Sequence, residues 1–154
     1  MAIGMDKVNV RLDFETFPAK YTCSGEDVSP PFRVEGGKGA SMAIILDDPD
    51  APMGTFVHWV IWNIKPVGGM LENVPKTSTL GGKVGAVQGR NDFGRIGYSG
   101  PCPPRGAPHR YFLKVHVLDT ELDLAPGATK EELLVAMDAH VIGYGEAMAR
   151  FARK

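Results

Sequence analysis

Tyr111-Phe112-Leu113-Lys114-Val115-His116-Val117-Leu118 is the stretch that sets the fold class. Its aromatic and β-branched side chains suit a pleated, half-buried surface, and no glycine or proline interrupts them. It reads as a strand. Immediately before it runs Gly97-Tyr98-Ser99-Gly100-Pro101-Cys102-Pro103-Pro104-Arg105-Gly106-Ala107-Pro108, which delivers His109-Arg110-Tyr111 to the strand's mouth. Proline fixes φ and glycine permits close backbone approach, so this loop is expected to hold one shape. A rigid loop presenting His, Arg and Tyr has the character of a prepared binding site.

Working outward, other segments carry strand signals. Val8, Val10, Leu12 and Phe14 alternate with Asn9, Arg11 and Asp13, the period of a half-buried strand. Ser41 to Leu46 is a continuous apolar run, expected as a buried strand that delivers the acidic loop Asp47-Asp48-Pro49-Asp50-Ala51-Pro52 to one edge. Phe56 to Ile64 is a further strand. Thr22 to Phe32 and Lys65 to Thr79 read as ordered loop and surface connection, and Gly81-Gly82, Gly85 and Gly89 argue against helix. Thr129-Lys130-Glu131-Glu132 fits a capping box, followed by Leu133, Leu134 and Met137 on one helical face. Local propensity after His140 is ambiguous, because Gly143 and Gly145 interrupt an alanine-rich segment. The expected architecture is mainly β: two packed antiparallel sheets with a short helix near the C-terminus, in a single domain spanning 1–154.

The totals agree with that class. With 154 residues, 44% hydrophobic and 23% charged, the chain is long enough for one substantial core. A net charge of −1 without a basic stripe gives nucleic-acid binding little electrostatic support. Met1 to Val10 lacks the apolar core of a signal peptide, and no apolar run could span a bilayer, so the expected location is the cytoplasm and no stable membrane insertion is expected. Cys23 and Cys102 have no metal-ligand spacing. One bridge between them is geometrically feasible, but free buried thiols are the expectation for an intracellular chain.

Candidate chemistry gathers at the two Pro-rich loops. A carboxylate of the acidic loop beside His58 could fix the imidazole's tautomer and prepare it as a donor for an anion. Ala51-Pro52 is a candidate cis bond. Tyr111 falls on the face of His109 if the segment is extended, so hydroxyl and imidazole could share a ligand, while Arg110 points the other way and suits a structural ion pair. The N–H groups of Gly100 and Cys102 could donate to a phosphate oxygen. His58 or His109 alone reads more readily as a satisfied core histidine, and it is the two together, each beside a rigid Pro-rich loop, that point to a site; His116 and His140 are expected to be structural or exposed.

Asp48-Pro49-Asp50-Ala51-Pro52 with His58-Trp59, and Gly100-Pro101-Cys102-Pro103-Pro104-Arg105-Gly106 with His109-Arg110-Tyr111, resemble the two signature regions of the phosphatidylethanolamine-binding protein family. Tyr21 to Pro31 and Gly89-Arg90-Asn91-Asp92-Phe93-Gly94 are similar to its bacterial and archaeal, Raf-kinase-inhibitor-like branch. The resemblance implies a β-sandwich with a small pocket for phosphate, acetate or a phosphoryl head group. The site positions it implies are Asp48, Pro52, His58, Tyr98, Gly100, Cys102, Pro104, His109 and Tyr111. Cys102 stands where other branches have glycine. The resemblance also implies that Val141 to Phe151 returns as a strand, after which the chain ends without the longer C-terminal helix of animal members.

The functional expectation is a non-catalytic, metal-free and cofactor-free binding protein for a small anion. A bare Asp48 carboxylate would repel phosphate, so it is expected to pair with His58 or be protonated, and binding should weaken as pH rises. The alternative is an inhibitor of a kinase or serine protease acting by surface contact. Hydrolysis is disfavoured because Ser99 and Cys102 lack a nucleophile context and no HExxH or paired Cys/His suggests zinc. Similarity to prokaryotic relatives implies a homodimer as an assembly to test.

Overall fold

Apolar strands without interruption need partners on both edges and cover on both faces, and that requirement sets the architecture. A computed structural model of the chain describes residues 5–66, 68–81 and 85–154. Gly82 of the glycine run and the first four residues of the N-terminal segment lie outside these. The strands in chain order are β1 (Asp6–Lys7), β2 (Asn9–Arg11), β3 (Phe32–Glu35), β4 (Ser41–Asp48), β5 (Phe56–Ile64), β6 (Gly69–Met70), β7 (Val87–Gln88), β8 (His109–Leu118) and β9 (Val141–Phe151), with helix α1 (Lys130–Met137) before β9. A six-stranded sheet has the order β1-β9-β8-β4-β5-β7, and a three-stranded sheet has the order β2-β3-β6.

Every residue of β4 is buried, because its sheet is covered twice. Met42, Ile44 and Leu46 point toward the small sheet and join Trp59, Ile61, Leu113, Val115, Phe32 and Val34 in the larger core. Ala43 and Ile45 point the opposite way and pack with Val60, Trp62, Leu133 and Met137 under α1. Full burial of each large apolar side chain contributes ~2 kcal/mol, so the helix is held by its two inward residues, Leu133 and Met137. Leu134, expected on the same face, is exposed. The capping box forms as expected: the Thr129 hydroxyl accepts from Glu132 N–H, and the Glu132 carboxylate accepts from Thr129 N–H. Asp47, fully buried at the end of β4, adds ion pairs to Lys114 at 3.1 Å and Lys130 at 2.9 Å, tying the helix start to β8.

Four expectations are corrected. The N-terminal alternating segment is not one strand: Asp6–Lys7 pairs with β9 and Asn9–Arg11 with β3, with buried Val8 at the crossover between sheets. The β1–β9 pairing is parallel, so the larger sheet is not purely antiparallel. No cis peptide occurs among the described residues, so Ala51-Pro52 is trans. The fourth correction concerns sulfur. Cys23 and Cys102 form a disulfide with Cα atoms 5.4 Å apart, because the fold packs the Tyr21–Val28 loop against the Gly97–Pro104 loop.

The C-terminal segment does return as a strand. β9 pairs along the length of β8, from His109 opposite Phe151 to Leu118 opposite Val141. Gly143 and Gly145, which weaken a helix, serve here as close-approach positions. A side chain at Gly145 would collide with the carbonyl of Val8, where the N-terminal segment crosses the strand.

Candidate functional site

Antiparallel pairing carries distant residues to one end of the large sheet. Asp48 at the end of β4 pairs with Phe56 at the start of β5, and Asp47 pairs with Phe112 of β8. The register therefore brings Asp48, His58, His109 and Tyr111 to one end. The Gly97–Pro104 loop closes the side. His58 and Ser99 exchange contacts reciprocally: Ser99 N–H donates to the His58 carbonyl at 3.1 Å, and His58 Nδ1 lies 2.7 Å from the Ser99 carbonyl. The result is a cavity of about 530 Å³, lined by Asp48, Pro52, His58, His109 and Tyr111 and by an apolar wall of Ala51, Met53, Phe56, Phe93, Pro103 and Pro104.

Hydrogen bonding decides what each polar group offers. A carbonyl can only accept, so His58 Nδ1 carries the proton directed at Ser99 and a neutral His58 keeps its Nε2 as an acceptor. Burial pushes the imidazole below its ordinary pKa, only partly opposed by the Ser99 carbonyl and the Asp48 charge. His109 Nδ1 donates to Asp48 Oδ2 at 2.7 Å, while Asp48 Oδ1 accepts the Asp50 N–H at 2.7 Å. The carboxylate that was expected beside His58 belongs to His109 instead. β4 lies between β5, which carries His58, and β8, which carries His109, and the Asp48 carboxylate turns to the β8 side.

Tyr111 differs from all of these. The residue lines the cavity and is 1% exposed, and its buried hydroxyl, with the Asp48 carboxylate nearby, makes no well-formed hydrogen bond. Burial first, and the Asp48 charge second, push its pKa far up, so the phenol stays a donor. Buried hydroxyls are nearly always satisfied, and one that is not, at a cavity wall, points to an absent partner.

The remaining site expectations divide cleanly. Pro52, Cys102 and Pro104 line the cavity with Asp48, His58, His109 and Tyr111. Tyr98 and Gly100 do not. Tyr98 is buried behind the cavity, its hydroxyl donating to the Tyr21 carbonyl at 2.6 Å and its ring set edge-on to Trp59. The Gly100 N–H is taken up by Asp27 Oδ1 at 2.7 Å and is not a free anion donor. Glycine is required there because a Cβ would collide with the Tyr21 carbonyl. Arg110 points outward in a two-point ion pair with Asp50, at 3.0 and 2.8 Å. His116 is half-buried against Tyr144, and His140 pairs with Asp119 on the surface.

Sequence reasoning missed the aromatic wall. Phe56, Phe93 and His58 stack edge to face, with ring centroids 4.7 to 5.7 Å apart. The signal was present in Gly89–Gly94. Asn91 Oδ1 caps the turn by accepting from Phe93 and Arg95 N–H, and its amide donates to the Gly97 carbonyl and Ser99 Oγ. Asp92 Oδ2 accepts from Val57 N–H, fixing the turn to β5. The motif therefore sets Phe93 at the cavity mouth.

A family model described as phosphatidylethanolamine-binding protein matches residues 9–152, nearly the whole chain. The chain belongs to the phosphatidylethanolamine-binding protein family. It is 56% identical over 143 residues to a UPF0098 protein of Pyrococcus abyssi, covering 91% of this chain and 80% of that one. A UPF0098 protein of Methanothermobacter thermautotrophicus is 50% identical, over 88% of this chain and 90% of that one. Among solved structures, a phosphatidylethanolamine-binding protein homolog from Chlamydia trachomatis superposes with a TM-score of 0.86 at 34% identity, covering 97% of this chain and 99% of that one. E. coli YbcL, described as a new member of the mammalian PEBP family, gives 0.85 at 28% identity, over 96% of this chain and 99% of that one. These family members share the β-rich fold seen here. No helix among the described residues is long and apolar enough to cross a membrane. Among the described residues, no group of three or more His, Cys, Asp or Glu side chains could hold a metal ion.

Proposed function

We propose that this family member is a non-catalytic binding protein whose cavity takes a small anionic group: a phosphate, a phosphoryl head group or a carboxylate. The observation that carries this reading is Tyr111, a phenol whose buried hydroxyl makes no well-formed hydrogen bond, in the wall of a cavity shared with two histidines. The volume of about 530 Å³ exceeds what a bare phosphate fills, so the apolar wall of Phe56, Phe93 and Pro103 suits the remainder of a larger ligand.

The donor inventory refines the ligand. In their neutral forms His58 and His109 both have Nδ1–H engaged by protein acceptors, which leaves Tyr111 as the side-chain donor. A dianion would also face the Asp48 carboxylate. The bound species therefore brings a proton of its own, or one imidazole gains a proton on binding. Either route makes binding stronger at lower pH.

The non-catalytic reading rests on the nucleophile candidates. Ser99 Oγ is buried and accepts from Asn91, and Cys102 Sγ is held in the disulfide. A second reading, inhibition of a kinase or protease by surface contact, is favoured by Met53, which is 99% exposed at the cavity rim. Cytoplasmic residence remains part of the proposal, and the disulfide weighs against a strongly reducing compartment. A homodimer is proposed on similarity alone.

Calorimetric titration with inorganic phosphate and phosphoethanolamine, at pH of about 5.5 and 7.5, tests the reading on wild type and Tyr111→Phe. Binding that is tighter at the lower pH and weakened in the variant supports it. Absence of binding at both values overturns it, and inhibition of a protease or kinase that survives His58→Ala would then favour surface contact.

A further inference from the structure

The disulfide forms part of the cavity wall, and its two sulfurs have unlike surroundings. Cys23 is exposed to solvent, whereas Cys102 is half-buried and lines the cavity. Arg153 Nη1 lies 3.8 Å from Cys102 Sγ, and the buried Nε of the same guanidinium has no hydrogen-bond partner. An incompletely satisfied cation beside one sulfur of an accessible bridge is more than a staple requires. It favours negative charge on that sulfur.

We propose that Cys23–Cys102 is a thiol–disulfide exchange centre whose redox state sets the charge of the cavity. The reacting partner is a dithiol. One of its thiolates attacks Sγ of the exposed Cys23, a bond forms between them, and the Sγ–Sγ bond breaks with its electron pair leaving on Cys102. The Arg153 guanidinium stabilises that departing thiolate, which speeds exchange. The second thiol of the partner then attacks the mixed disulfide and releases Cys23. The partner leaves as a disulfide, and the protein has gained two electrons, with the proton of the partner's second thiol on Cys23 and Cys102 left as a thiolate beside Arg153.

The fold survives this step. The two loops stay joined by Cys23 N–H to the Pro101 carbonyl at 3.1 Å, Gly100 N–H to Asp27 at 2.7 Å, and the Tyr98 hydroxyl to the Tyr21 carbonyl at 2.6 Å. The cavity thus keeps its shape while its wall gains a thiolate in addition to the carboxylate of Asp48. That added charge opposes an anion. The exchange chemistry stands by itself, whereas the effect on ligand rests on the anion-binding function proposed above.

The experiment has two arms. In the first, native protein is treated with dithiothreitol at neutral pH, and thiols are counted by mass after alkylation. Exchange is expected without unfolding, several-fold slower in Arg153→Gln and restored in Arg153→Lys. With Cys102→Ser, glutathione disulfide should trap a mixed disulfide on Cys23. Exchange that occurs only at the rate of global unfolding, or that is indifferent to both Arg153 substitutions, overturns the proposal. In the second arm, inorganic phosphate is titrated into oxidised and reduced wild type and into Cys23→Ser/Cys102→Ser. Reduced wild type is expected to bind roughly tenfold more weakly than oxidised, and the doubly substituted protein to be indifferent to reductant. Equal affinity in both redox states overturns control of the cavity. If oxidised protein binds no phosphate at all, the proposed function fails, and the first arm alone decides the exchange centre.

Discussion

Asp48 Oδ2 accepts a 2.7 Å hydrogen bond from Nδ1 of His109, across 61 residues of sequence, and the same carboxylate accepts the Asp50 N–H through Oδ1. This pairing holds the end of β4 to the start of β8 and fixes the orientation of the His109 ring. Asp48→Asn keeps the shape but weakens a charge-assisted bond in a largely buried place. A loss of ~1–3 kcal/mol in denaturant stability is expected. Unchanged stability would show that the pair does not help to hold β4 to β8.

Tyr111 should behave in the opposite sense. Its buried hydroxyl makes no well-formed hydrogen bond, so Tyr111→Phe removes little that holds the protein together. The variant is expected to be as stable as wild type or slightly more stable, yet to bind phosphate roughly tenfold less tightly, as for ~1.4 kcal/mol of a lost donor. Thermal unfolding and calorimetry on the same sample check both halves. A clear loss of stability would mean that the hydroxyl has a partner in the protein.

His58 makes stability depend on pH. Its folded pKa lies below the ordinary 6.5, mainly through burial, so the unfolded chain takes up its proton first as pH falls. Stability from this group is full above about pH 6.5 and declines below that value, down to the depressed folded pKa. Urea unfolding between pH of about 5 and 8 should show this decline, with a smaller slope in His58→Asn. An unchanged slope would assign the decline to other groups.

The disulfide closes a loop between residues 79 apart in sequence. Chain-entropy reasoning gives such a bridge ~4 kcal/mol of stability through the unfolded state. Guanidinium unfolding with and without reductant measures the difference. A much smaller value would mean that the unfolded chain is already compact around these loops.

Gly100→Ala tests the tight packing behind the cavity. The added methyl would meet the Tyr21 carbonyl and the Asp27 carboxylate that accepts the Gly100 N–H. A loss of ~1–3 kcal/mol is expected, since the neighbours are backbone and a bonded carboxylate. A neutral result in thermal unfolding would show that the two loops separate easily.

Much of this was legible because it is local. The run Ser41–Leu46 and the stretch Tyr111–Leu118 form β4 and β8 where their composition placed them, and Thr129–Glu132 closes its capping box. Strand β9 was legible only through resemblance, because its glycines mark approach by Val8, a long-range contact without a local signal. At the site, the motif positions gathered most of the cavity wall, but motif membership does not separate lining from support. Tyr98 and Gly100 belong to the motif for how they hold the Tyr21–Asp27 loop. Phe93 entered as part of a motif, and its ring position depends on how Asn91 turns the chain.

The sequence by itself determined the class of fold, the family, and which residues could meet at the end of the sheet, because strand period, turn composition and capping act over a few residues. The tertiary structure decided the pairings. Asp48 serves His109 and not His58, the ion-pair partner of Arg110 is Asp50, and Cys23 meets Cys102. Each of these depends on sheet register and loop docking between segments far apart in the chain. A hydrogen bond or a sulfur bridge is fixed within a few tenths of an ångström, and no local propensity carries that information.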